Sequence, residues 1–322
     1  MSDGITRRRF IKNSAALGAS VTIGGTLIGT LADGAAAAEA GPVGLAAVTG
    51  PDGFANTMAA VEAVGGIARF VPSGSTVLIN ANTAFKHRGS IVEPNVLLAT
   101  LELCAEAGAE RILLVKGVQD DYWKRCERAA AKTALIDRAE VSERTFDVVK
   151  VEMGVALKEA HVDRHLLSAD VYINLSIAKN HKGCEFTGAL KNTMGVCPHD
   201  PTCRFFHVGA NPGSDDWYPD IGHLSQCIAD VNTIRKPDLN IVDAGEILIT
   251  NGPFGPGKLA SPRSVVASAD MVAVDAYSAR YLDLDPAAIP MIGKAAAHGL
   301  GTADMAEVGV GEISLESPPT AG

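Results

Sequence analysis

Residues 178–207 hold three lysines (Lys179, Lys182, Lys191), one arginine (Arg204), three histidines (His181, His199, His207) and two amides (Asn180, Asn192). The chain carries a formal net charge of −9, so this density of basic groups is a local cationic patch on an acidic protein. The chemistry it offers is recognition of an anion. Lysines supply the charge, and a histidine can move a proton or hold a metal near neutral pH. Thr187 is placed to cap a short helix with Lys191 one turn later, and such a helix start presents free backbone N–H groups and a positive dipole end. A solvated basic loop is the plainer reading. It is weakened by the interleaved Gly, Phe and Leu and by the apolar strand just before, because a lysine in a segment suited to burial needs an anionic partner. If the patch is catalytic, Lys179, His181, Lys191 and His207 carry the work: the lysines stabilise developing negative charge and a histidine transfers the proton.

The same segment invites a metal or iron–sulfur reading, with Cys184, Cys197, Cys203 and His199 as candidate ligands. These cysteines are separated by 12 and 5 intervening residues, and Cys227 follows after 23 more. No C-x-x-C occurs, so ferredoxin-type ligation has no support in the spacing. His199, Cys203 and His207 recur every four residues and could share one metal on a helix, but Pro198 and Asp200-Pro201 oppose a helix there. Six cysteines in an exported chain also permit disulfides, Cys197–Cys203 among them. Cys104 and Cys126 fall on apolar helical faces and read as buried thiols.

The elements that must position this chemistry alternate. Thr76–Ile79 reads as a buried strand ending in polar Asn80 and Asn82. Residues 94–107 read as a helix with Pro94 in the first turn and Gly108 as its stop. Arg111–Val115 is the next strand, followed by a helix over 122–133. Further strands are expected at 146–151, 171–175, 239–242 and 265–267, with helices at 221–234, 271–281 (capped by Asp270) and 286–297, and a last strand near Val308. The order predicts an α/β fold: a mostly parallel or mixed sheet with helices on both faces, in one large domain. Polar residues gather after strand ends, where open α/β sheets bind ligands.

The N-terminus reads as an address. Arg7, Arg8, Arg9 and Lys12 precede a weakly apolar stretch from Ala15 to Leu31, and an alanine-rich run satisfies small-x-small cleavage after Ala38 or Ala40. Residues 1–40 are therefore expected to be a twin-arginine signal, read by the twin-arginine translocase, with the folded chain delivered to the periplasm and no stable membrane span after cleavage. Residues 41–75 are expected to be an irregular lead-in with one helix near 55–64, residues 76–312 the folded domain and 313–322 a flexible tail. Setting aside the signal's four cations and two acids leaves a mature charge of about −11, the opposite of a nucleic-acid or anionic-membrane binder. The 47% hydrophobic content excludes a disordered chain.

Residues 75–310 resemble the domain-of-unknown-function family number 362. The motifs that carry the resemblance are Asn80-Ala81-Asn82, where the family usually shows Lys-Pro-Asn, and Glu106-Ala107-Gly108-Ala109. They continue with Lys179-Asn180-His181, Thr187-Gly188-Ala189-Leu190-Lys191-Asn192, Gly195 and His207. Asn240-Ile241-Val242-Asp243, Asn251-Gly252-Pro253 and the run from Ala269 to Ala276 complete them. The resemblance implies site membership for Asn82, Lys179, His181, Lys191, Asn192, His207, Asp243, Asn251 and Asp275. Some relatives carry ferredoxin-type iron–sulfur motifs in an added segment, and this sequence lacks the ferredoxin motif. The expected function is binding of a small anionic ligand or cofactor. The alternatives are a metal or iron–sulfur redox protein and a non-enzymatic binding or assembly factor.

Overall fold

The computed structural model describes residues 42–209, 216–218 and 220–315, with the backbone of Ser20–Ile23 and Thr26–Thr30. The arginines and cleavage positions of the expected export signal lie outside the described residues. The main sheet contains strands β1 (Leu45–Thr49), β2 (Thr76–Ala81), β3 (Arg111–Leu114), β4 (Ala139–Val141), β5 (Val171–Ile177), β6 (Leu239–Ala244), β7 (Ser264–Ser268) and β8 (Val310–Ser314). Their spatial order is β8-β1-β7-β6-β5-β2-β3-β4, and the backbone of Ser20–Ile23 and Thr26–Thr30 extends the β8 edge. Neighbours β6, β5, β2, β3 and β4 are parallel, as are β8 and β1. Of these eight strands, only β7 runs against both of its neighbours. The sheet is thus mixed and mostly parallel, as the α/β expectation required.

Helices cover both faces, because each strand presents alternate residues to opposite sides. Val77 and Ile79 face one core cluster and Leu78 the other. On the first face lie α1 (Gly53–Ala63) and α2 (Pro94–Glu106), packed against each other. The opposite face is covered by the short α3 (Ala189–Asn192), α4 (Ile221–Asn232), α5 (Met271–Ser278) and α6 (Pro290–Ala297). Helix α2 starts where Pro94 needs no N–H partner and the Glu93 carboxylate accepts from Asn95 N at 2.9 Å; Gly108 follows its end at φ +83°. Among the described residues no helix is long and apolar enough to cross a membrane.

Several expectations are corrected. The lead-in is not irregular throughout, because Leu45–Thr49 is an interior strand whose first four residues are buried. The tail is not flexible from residue 313: β8 runs to Ser314, and Leu315 is buried. The helix over 122–133 is split into two 3-10 turns because Cys126 is extended, at φ −124° and ψ 104°. The strand at Phe146–Lys150 pairs with Glu159–Asp163 in a separate hairpin, outside the main sheet.

Candidate functional site: a cationic cavity at the strand ends

The parallel strands β5, β2 and β3 all end at one edge of the sheet, and polar residues follow each end. Lys179 follows β5, Asn80 and Asn82 stand at the end of β2, and Lys116 follows β3. They open onto a cavity of about 590 Å³. After β5 the chain forms a hairpin, Lys179–His181 paired with Glu185–Thr187, with Lys179 directly opposite Thr187. Alternation puts Lys179 and His181 on one face, both buried and both lining the cavity. Asn180 faces away, and its Oδ1 accepts from Gly252 N at 3.0 Å. Gly183 at the hairpin tip lets the Tyr218 ring close over the site, since a Cβ there would overlap that ring.

The charge balance of the cavity is one-sided. Lys116, Lys179, Lys182 and Lys191 line it with His181, His199 and His207, and none of the described lining residues is Asp or Glu. Lys179 Nζ donates to Ser90 O at 2.6 Å and sits 4.0 Å from the Phe85 ring centroid. Burial, then the charge of Lys191, pushes its pKa well below the ordinary lysine value. Among the described residues, Lys191 Nζ reaches only the Met194 sulfur, at 3.3 Å. Burial also lowers the pKa of Lys116, followed by Arg144. His181 is shifted down by burial and then by Lys191, Lys179, His207 and Lys182. His207 is pushed down to about 4 by burial and Lys191, against the opposing hydrogen bond to the Cys203 carbonyl. The Thr187 hydroxyl is buried without a hydrogen-bond partner among the described residues.

The expected helix cap is different from the one observed. Thr187 does not cap α3, whose first residue is Ala189. Asp275, on α5, reaches across instead, accepting from Ala189 N at 2.5 Å and Leu190 N at 2.9 Å. The helix start is therefore already occupied by a carboxylate of the protein, and Asp275 positions the segment rather than lining the cavity. Gly188 is required here, because any Cβ would overlap the Asp275 carboxylate. Burial raises the Asp275 pKa to about 7, against those two N–H bonds. A carboxyl raised in the folded state gives stability that is complete below its unfolded pKa and lost as pH climbs through about 7. Asp275→Asn should therefore gain melting temperature relative to wild type between pH 4 and pH 7. Parallel melting curves across that range would refute this if the difference stayed constant.

Other expected site residues divide. Asn82 and Asn192 line the cavity. The Asn192 amide is largely spent on structure, donating to Asn80 O and Asn174 Oδ1, both at 2.8 Å. Asp243 is buried elsewhere, accepting from Glu93 N at 2.7 Å and Gly245 N at 2.8 Å, so it ties the start of α2 to the end of β6. Asn251 is an exposed turn residue at φ +57° whose side chain donates to Pro256 O at 3.2 Å; its neighbours Pro253 and Phe254 reach the cavity.

The cysteines do not converge. Cys203 lines the cavity, His199 stands at its exposed rim paired with Asp200 at 2.8 Å, and Cys184 and Cys197 are buried outside the lining. Burial pushes the Cys184 thiol up to about 11. All six cysteines are free, and among the described residues no group of three or more His, Cys, Asp or Glu is placed to hold a metal. Sequence reasoning missed Lys116, Phe85, Trp217, Tyr218 and Phe254 as lining residues. Lys116 was findable as the polar residue following strand β3, by the rule that singled out Asn80 and Asn82.

A family model described as Domain of unknown function (DUF362) matches residues 76–280. The chain belongs to the DUF362 family. The matched span runs from the start of β2 past the end of α5, so it contains all four cavity lysines and Asp275. The family expectation drawn from the sequence motifs is thereby borne out. This DUF362 chain is 26% identical over 242 residues to the thylakoid-associated protein sll1697 of Synechocystis sp., covering 71% of the chain and 70% of the relative. Among solved structures it is similar to the lactate racemase apoprotein from Thermoanaerobacterium thermosaccharolyticum, with a TM-score of 0.44 and 11% identity. That match covers 70% of this chain and 54% of the racemase, so the chain spans about half the racemase's length.

Proposed function

We propose that this DUF362 protein binds a small anionic molecule or cofactor in the cavity at the ends of β2, β3 and β5, and that it does so after export by the twin-arginine route. The observation that carries the binding reading is the concentration of four lysines around one cavity with no Asp or Glu among the described lining residues, on a chain of net charge −9. Burying ammonium groups is costly unless something compensates them, and the anion missing from the protein is supplied by the ligand. The unpartnered Thr187 hydroxyl gives that ligand a further donor. Aromatic rings at Phe85, Trp217 and Tyr218 provide apolar walls that exclude water from the charges.

Native mass spectrometry of the chain recovered from its own envelope fraction tests both halves. The expected species begins after Ala38 or Ala40 and carries a small anion. Emptied protein should take up malonate or phosphate with a dissociation constant below about 1 mM, weakening as salt is added. Uncleaved chain confined to the cytoplasm would overturn the export reading. The binding reading falls if neither anion produces heat of binding or a melting shift at low salt.

A further inference from the structure

The two inner histidines of the cavity are held in opposite tautomers by their backbone partners. Gly183 N donates to His181 Nδ1 at 3.0 Å, so that nitrogen presents its lone pair. In the neutral ring the proton is then on Nε2. His207 Nδ1 lies 2.6 Å from Cys203 O. A carbonyl only accepts, so Nδ1 carries the proton there and Nε2 is left with the lone pair. Both rings line the cavity, and neither Nε2 has a hydrogen-bond partner among the described residues. Each ring stands edge-on to Tyr218, with centroids 5.5 Å and 5.6 Å from it. The one cavity is thus lined by a ring that offers an N–H donor, His181, and a ring that offers a nitrogen base, His207.

The surroundings keep both rings neutral near pH 7. His181 is faced by Lys179, Lys182 and Lys191 and by His207, all of which oppose a second positive charge. His207 is faced by Lys191 and His199, while the Cys203 carbonyl favours protonation. A neutral imidazole N–H is suited to an oxygen that gains charge during reaction, because the hydrogen bond strengthens as the charge develops.

We infer that the cavity enolises a 2-oxo carboxylate, with His207 Nε2 as the base, His181 Nε2–H as the donor to the carbonyl oxygen and the lysines holding the carboxylate. The base takes a proton from the carbon beside the carbonyl. The C–H electron pair becomes the enolate C=C bond and the carbonyl π pair moves onto the oxygen. Return of the proton from His207 to carbon closes the cycle, so no oxidant or reductant takes part. The inference rests on the anion-binding reading and names its substrate class.

The test is deuterium uptake at C3 of pyruvate, 2-oxobutyrate and 2-oxoglutarate in D₂O, followed by proton NMR with the full chain, beside calorimetric binding of the same three compounds. The expected result is exchange of at least one compound 100-fold or more above the buffer rate. His207→Gln should remove that acceleration while affinity falls by less than tenfold, and His181→Phe should slow it at least tenfold. Binding without accelerated exchange overturns the enolisation and leaves the binding reading standing. Absence of binding by all three overturns the substrate class, and the malonate and phosphate titrations then decide the broader reading separately. Exchange that survives in His207→Gln overturns the assignment of the base.

Discussion

Lys179→Met is expected to weaken malonate or phosphate binding by 100-fold or more while leaving the melting temperature unchanged or higher. Methionine keeps the length and apolar stem of the side chain, so the change removes charge with little change of shape. Lys179 is fully buried, and its partners among the described residues are Ser90 O and the Phe85 ring, with no carboxylate. Holding an ammonium in that position costs several kcal/mol of desolvation, and the substitution abolishes this cost. It leaves the Ser90 carbonyl without its donor, a loss of about 1–3 kcal/mol, so the two stability effects oppose each other. Binding has no such compensation. A charge pair at about 4 Å in a partly screened site is worth about 4 kcal/mol, and 100-fold in affinity needs only about 2.7 kcal/mol. Lys191→Ala should weaken binding less, about tenfold, because Lys191 is only half-buried and water screens it. Calorimetric titration and a thermal melt on each variant check both halves. Wild-type affinity in Lys179→Met would remove the cavity from consideration as an anion site.

The sequence disclosed the parts of this fold that depend on local pattern. Strands β2, β3, β5 and β6 are apolar runs flanked by polar residues, and Asp270 caps α5 as its position suggested, accepting from Val272 N and Ala273 N. Strand β1 escaped because Leu45-Ala46-Ala47-Val48-Thr49 is short, small-residued and set between Gly44 and Gly50; only the sheet around it makes it a strand. The cationic segment was legible for the same local reason, since its lysines and histidines are close in sequence. Its supports were not. Asp275 lies 86 residues from the N–H group of Ala189 that it holds, Phe85 reaches Lys179 from another strand end, and the histidine tautomers depend on carbonyl and N–H groups that only the folded backbone places. Expecting Thr187 to cap α3 was reasonable from spacing, and a distant carboxylate outcompeted it.

Asn192 provides the most direct test of how the cavity wall is fixed. Its Nδ2 group donates to Asn80 O at 2.8 Å, Asn174 Oδ1 at 2.8 Å and Leu175 O at 3.2 Å, while its backbone carbonyl accepts from Asn80 Nδ2 at 2.8 Å. Asn174 Nδ2 in turn donates to Ala189 O at 2.8 Å and approaches Asn240 Oδ1 at 3.3 Å. One buried amide web therefore fastens α3, and with it Lys191, to the ends of β2 and β5. Removing the amide leaves buried acceptors with no donor, and such groups cost about 1–3 kcal/mol each when the site cannot relax or admit water. Asn192→Ala should thus lose about 3 kcal/mol of stability. Asn192→Asp is nearly isosteric yet should lose more, because it turns the donor into an oxygen facing three oxygens and adds a buried charge. The expected order in urea unfolding is wild type, then Ala, then Asp. That order separates hydrogen-bond polarity from packing: if cavity volume were what mattered, Asp would outlast Ala. An Asp variant as stable as the Ala variant would show that the amide's donors do not hold this wall.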